Sequence, residues 1–214
     1  DESVENEKDI ISEEIHMYDD RPMSILEEKV RKNTLKTNPY KDSIIGTTKD
    51  IRSITKEDLE TCYHTFYHPS NMFNVIKENQ SKKEFSKEGS IKIKEFTEED
   101  KVVKEKEIVK VETNIPKIAY TIKLPIKDIK ITRRKLHLYL YILFTILFDE
   151  TSELDETLKK DGIINNTTYV NLINCDTHIL ISLMNETNKY DDYINKIKDK
   201  LNNIEINEED FNRK

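Results

Sequence analysis

Glycine is scarce in this chain of 214 residues: only Gly46, Gly89 and Gly162 occur. Loops that cradle phosphates need several closely spaced glycines, so nucleotide-binding fingerprints are excluded. Cysteine is scarcer still. Cys62 and Cys175 lie far apart, with no CxxC context and no paired histidine, which argues against a thiol nucleophile. They fit a reducing compartment, and a disulfide between them stays open. The opening Asp1-Glu2-Ser3-Val4-Glu5 has neither the basic nor the apolar stretch of a signal peptide. The longest strongly apolar run, Leu136 to Phe148, is too short to span a bilayer and is interrupted by His137 and two tyrosines. No membrane partner is expected, and the chain reads as cytoplasmic. The net charge of −7 is spread over the whole length, which argues against a nucleic-acid partner.

What the chain does have is a series of well-signalled helices followed by strands. Residues 3–35 read as helical, broken near Asp19-Asp20-Arg21-Pro22 because proline cannot continue the hydrogen-bond ladder. After a loop, Thr55 with Asp58 three residues on approximates a capping box, and Ile54 with Leu59 approximates a hydrophobic staple. In that helix Leu59, Cys62, Tyr63, Phe66 and Tyr67 recur at helical spacing and predict one buried stripe, ended by His68-Pro69. Residues 77–106, rich in Lys, Glu and Ser, read as a solvated linker. Alternation then predicts strands over 107–111 and 117–124. A buried helix is expected over 133–148, and a shorter one over 152–160 stopped by Gly162. A hairpin of 168–173 with 178–184 precedes a helix burying Tyr190, Tyr193, Ile194, Ile197 and Leu201. Asn207 reads as a further N-cap, with Ile206 and Phe211 as its staple.

Both ends read as cut. The first 75 residues offer several apolar helical faces and almost no strand to receive them, although a stable domain needs a second layer.

The most informative local feature surrounds Glu14. Its neighbours one turn away are Ile10, Ile11, Met17 and Tyr18, and Glu7 lies about two turns earlier on the same side. Two carboxylates are thus set in an apolar stripe. Burying an unpaired carboxylate costs several kcal/mol or forces it neutral, so such a group wants a metal or a basic partner. The residues alone leave open a metal ligand, a structural salt bridge, and a partly exposed stripe edge.

The segment Glu7-Lys8-Asp9-Ile10-Ile11-Ser12-Glu13-Glu14 resembles the E-[RK]-x-x-[IV]-x-x-E pattern of the insulinase/pitrilysin-type (M16-like, inverzincin) zinc metallopeptidases. The likeness continues through Asn38-Pro39-Tyr40, Ile44-Ile45-Gly46-Thr47, Ile51 to Leu59 and Tyr63 to Met72. Further stretches, Leu147 to Leu154 and Leu158 to Ile164, resemble the family's second domain, nearest to bacterial paired pitrilysin-like proteins. The resemblance implies Glu14 as third ligand to a catalytic Zn2+ and Glu7 as a carboxylate that supports the site from behind it. It also implies an α+β fold of the insulinase (processing-peptidase-like) kind, with helices packed on a mainly antiparallel sheet and truncated at both ends.

Two departures stand beside it. The chain contains no HxxEH, so the two histidine ligands and the general base of the family are absent from it, and one carboxylate cannot hold a catalytic zinc. After Phe73, where the family has a core strand, the chain runs into Asn74 to Asn79, as if a segment were deleted.

The histidines have ordinary readings. His64 and His68 have the i, i+4 spacing of a helical zinc site but lack a properly placed glutamate and sit at a helix end. His16 lies off the Glu14 face, and His137 and His178 stand alone in apolar elements.

The division expected is 1–76 for the helical part of a zinc-bearing first domain, 77–106 for a charged linker, and 107–214 for a second α/β domain. The expected function is part of a zinc metalloendopeptidase, inactive alone, with a peptide substrate and a homologous second half or paired subunit as partners. The competing expectation is a non-catalytic half that helps enclose and bind the substrate.

Overall fold

A computed structural model gives the fold and describes residues 2–72, 94, 96–206 and 208–213. The apparent deletion after Phe73, residues 77–93 of the expected linker, and the Asn207 cap lie outside the described residues. The chain divides into two compact units, Asp1–Met17 with Ile45–Glu95, and Tyr18–Ile44 with Phe96–Lys214.

The first unit is helical among its described residues. Helix α1 spans Glu2–Asp19, α3 Thr48–Ser53 and α4 Lys56–Phe66, while α2, Pro22–Thr34, belongs to the second unit. The break between α1 and α2 falls where Pro22 predicts it, with Pro22 in the first turn of α2. The Thr55–Asp58 capping box forms, and an equivalent box forms between Thr47 and Asp50 at α3. Each box satisfies two orphan N–H groups at a helix start.

The stripe on α4 departs from expectation. Leu59 is 46% exposed, Tyr63 57% and Tyr67 67%, and α4 has no buried residue. Tyr63 and Tyr67 stack on each other at 5.1 Å instead of packing into a core. Helical periodicity marks an apolar face, but burial needs an opposing layer, and the described residues of this unit contain no strand to provide one.

The second unit is built on a three-stranded antiparallel sheet in the order β1-β3-β2, with β1 at Lys117–Pro125, β2 at Tyr169–Asn174 and β3 at His178–Glu186. The central β3 is buried along nearly its whole length. Register places Ile122 opposite Ile181 and Tyr120 opposite Leu183, so alternation in β1 turns its apolar side chains to one face. Helices α5 (Arg133–Phe148), α6 (Glu153–Lys160) and α7 (Tyr190–Asn202) contribute Phe144, Leu147, Leu158, Tyr193 and Ile197 to the core on that face. A last short helix, α8, spans Glu208–Arg213. This is the expected α+β architecture of helices on an antiparallel sheet.

Local signals end these helices as anticipated. Gly162, at φ +62°, follows α6 in the left-handed region. Its N–H bonds to the Lys159 carbonyl, and the Ile163 N–H to that of Leu158, closing a Schellman motif whose apolar pair Leu158 and Ile163 is buried.

Three expectations fail here. Residues 107–111 form no strand; Ile108 is exposed, and Glu107 instead accepts a hydrogen bond from Asn33 Nδ2 at 2.9 Å. Helix α5 is buried along one side only, with Leu138, Tyr139 and Tyr141 more than half exposed, because a helix lying on a sheet covers it with a single face. The expected linker is not solvated throughout: most of residues 96–106 are exposed, but Glu98 among them is buried. Residues 96–104 and the end of α2 cover the second face of the sheet, where Leu35, Cys175 and Leu180 pack together.

That second face is organised by Glu98. Its carboxylate accepts hydrogen bonds from the backbone N–H groups of Lys36 (2.7 Å), Thr37 (2.8 Å) and Asn38 (2.8 Å), and from the Lys123 ammonium at 3.2 Å. Burial by itself would raise the pKa of this acid, but the three N–H donors and Lys123 outweigh it and hold the group at about 2. Lys123 donates in turn to the carbonyls of Thr34 and Lys101. Every charge in the cluster is therefore met by hydrogen bonds, which is what permits an ion pair in the interior.

Candidate functional site

The face of α1 that turns inward carries Lys8, Ile11, Ser12 and Ile15; Ser12 and Ile15 are buried, and the Ser12 hydroxyl donates to the Lys8 carbonyl at 2.6 Å. Glu7 and Glu14 lie on the other side and are exposed. Ile10 at 62%, Met17 at 55% and Tyr18 at 42% exposure share that side. The apolar stripe predicted around Glu14 is therefore present on the helix but uncovered among the described residues. The desolvation that motivated the reading does not act there.

Neither Glu7 nor Glu14 forms a hydrogen bond or ion pair with any described residue, so the salt-bridge alternative has no partner among them. Basic groups on the same helix are engaged elsewhere. Lys8 pairs with Glu5 at 2.8 Å, and Arg52 of α3 reaches Asp9 at 2.6 Å. The Arg21 guanidinium lies over the ring of Tyr18 at 5.2 Å. Two carboxylates thus project from one exposed, largely apolar helix face and pair with no cation among the described residues. That is a donor set open to a ligand supplied from outside.

It is not a complete metal site. No group of three histidine, cysteine, aspartate or glutamate side chains among the described residues could hold a metal ion. A catalytic zinc takes three protein ligands plus water, so this chain's described residues do not fit the ion by themselves.

The remaining candidates resolve into structural roles. His64 meets the Tyr63 ring edge-on at 5.5 Å on exposed α4. His16 is exposed at the end of α1. His137 hydrogen-bonds Asn174 at 2.9 Å. His178 is not alone: buried at the start of β3, it bonds Asp100 at 3.1 Å through Nε2 and Thr177 at 2.9 Å through Nδ1. That hydrogen bond is the main reason Asp100 stays below the usual carboxylate range. Both cysteines are free thiols, and burial pushes Cys175 up to about 11, too weak an acid to act as a nucleophile.

In the second unit the outer edges of β1 and β2 have no strand beside them among the described residues. Unpaired edges of this kind accept an extended peptide by main-chain hydrogen bonding. No helix among the described residues is long and apolar enough to cross a membrane.

Comparison with known proteins adds three findings. The family model described as "Peptidase M16 inactive domain" matches residues 53–214. The "Uncharacterized zinc protease YmfH" of Bacillus subtilis (strain 168) is 34% identical over an alignment of 180 residues that covers 77% of this chain and 42% of that protein. The crystal structure of a "putative M16-like peptidase" from Alicyclobacillus acidocaldarius superposes with a TM-score of 0.81 at 28% identity, covering 100% of this chain and 54% of that one. The chain therefore spans roughly half, or less, of the length of these relatives.

Proposed function

Because the chain belongs to the peptidase M16 family, we propose that it is part of a zinc-dependent metalloendopeptidase, in which Glu14 supplies one ligand and Glu7 supports it. The observation that carries this is the pair of carboxylates, unpaired among the described residues, on one exposed and largely apolar face of α1, in the spacing of the family pattern. The two further ligands would come from histidines outside this chain, whose own five, His16, His64, His68, His137 and His178, form no group with Glu14 that could hold a metal ion. The exposed stripes of α1 and α4 fit the same picture, for they offer an apolar surface to the remainder of a domain. A zinc ion held there would supply Lewis-acid activation for peptide hydrolysis. This chain's own part is to present a fixed carboxylate from a rigid helix and an open strand edge for an extended peptide.

The match of residues 53–214 to a domain described as inactive favours a second reading, in which the chain comes from a non-catalytic half that only helps enclose the peptide. Both readings make the 214-residue chain inactive and without a tight zinc site by itself. Metal-dependent cleavage by that chain, abolished by a chelator, overturns both.

The intact protein separates them. Under the catalytic reading it carries an HxxEH motif and about one zinc per active site. Glu14→Gln then sharply lowers zinc content, and Glu7→Gln lowers turnover more than zinc content, by about 10- to 100-fold. Unchanged zinc content in Glu14→Gln sinks the assignment of the ligand.

A further inference from the structure

Between the end of β1 and the start of α5 the second unit holds a cavity of about 330 Å³. Its lining is aliphatic at Ile126, Ile129, Ile131 and Leu136, with Lys127 and Arg133 as its cations. Asp176 and Thr177, from the turn between β2 and β3, complete the wall. The charge around it runs against the rest of the molecule. From Lys127 to Lys135 the chain carries five cations (Lys127, Lys130, Arg133, Arg134 and Lys135) against Asp128, and with Asp176 in the wall and Asp100 beside Lys127 the balance is five cations to three acids, within a protein of net charge −7.

These cations are weakly engaged. Lys127 stands 3.4 Å from Asp100 and Arg133 3.9 Å from Asp176, and both cationic side chains are more than half exposed. Exposed pairs at such distances hold weakly and exchange readily for another anion. Lys130, Arg134 and Lys135 pair with no acid among the described residues. The first turn of α5 contains three of the five cations and no acid, where negative charge would suit the helix dipole better.

We propose that this cavity is a docking site for an acidic segment of a protein partner, in which an aliphatic side chain is flanked by aspartate or glutamate. The aliphatic wall takes the side chain, and the surrounding cations take the carboxylates. A nucleic acid fits worse, since the lining offers no aromatic ring for a base to stack on and the acidic remainder of the chain repels a long polyanion. The site is independent of the metal reading, because docking needs neither zinc nor cleavage.

The test uses the full chain and three short fluorescein-labelled peptides, alternating Leu with Asp, Leu with Ser, and Leu with Lys, followed by fluorescence anisotropy. The Asp-Leu peptide is expected to bind saturably and to weaken with added salt, and the other two to bind at least about tenfold more weakly. The double substitution Arg133→Glu with Arg134→Glu, both on exposed positions, is expected to lose about tenfold or more in affinity with an unchanged circular-dichroism melt. Ile131→Asp is expected to weaken binding by removing part of the aliphatic wall. Equal binding of the Ser-Leu peptide, indifference to the charge reversal, or tighter binding of a single-stranded oligonucleotide of similar length overturns the proposal.

Discussion

Glu98 and Lys123 meet at 3.2 Å in the interior of the second unit, with side chains 0% and 2% exposed, although they come from segments that share no local pattern. The pair fastens residues 96–104 and the end of α2 to the sheet. Removing one member of such a pair strands the other charge in the interior, at a cost of about 3–5 kcal/mol.

Acid should loosen this unit in a window set by that carboxylate. Its folded pKa of about 2 lies below the ordinary glutamate value of 4.5, so its contribution to stability is full above pH 4.5. It is lost as pH falls toward 2, and the shift corresponds to roughly 3 kcal/mol. Urea melts between pH 6 and pH 3 should show the loss, and Glu98→Gln should be less stable at pH 6 and flatter across the range. A variant with the wild-type acid slope contradicts the assignment.

Gly162→Ala should destabilise the second unit through the backbone alone. At φ +62° an L side chain is strained, while the nearest atom to an added Cβ is Lys189 Nζ at 3.8 Å, an ordinary contact. The expected cost is about 1–2 kcal/mol, measured as a shift in the urea midpoint without change in slope. Gly162→Asn should cost less, since asparagine visits the left-handed region more readily.

Glu14→Gln should leave the stability of the 214-residue chain unchanged within about 0.5 kcal/mol, because the side chain is exposed and makes no ion pair among the described residues. A thermal melt displaced by several degrees would give Glu14 a structural role in the chain and remove the reason to reserve it for a ligand.

Much of this fold was legible from local chemistry. The proline break before α2, the Thr55–Asp58 box, the end of α6 at Gly162 and the β2–β3 hairpin all depend on residues within a few positions of one another. The family resemblance, carried by ordered motifs from Glu7 to Met72, agrees with the family that the comparisons establish. Other readings needed information that no window contains. The stripe on α4 and the pattern over 107–111 have correct local periodicity but no neighbouring layer or strand. Glu98, one acid in the run Thr97-Glu98-Glu99-Asp100, gave no sign of being different from its neighbours. The cations near Arg133 were hidden in a whole-chain charge count.

The sequence by itself determined where helices and strands start and stop, because caps, proline and the periodicities of 3.6 and 2 act over one or two turns of chain. It also determined that Glu7 and Glu14 share a helix face. Only the tertiary structure decided which faces are covered and which charges are buried. Those outcomes depend on donors such as the Asn38 N–H, 60 residues from Glu98 in the chain, arriving at the same point in space.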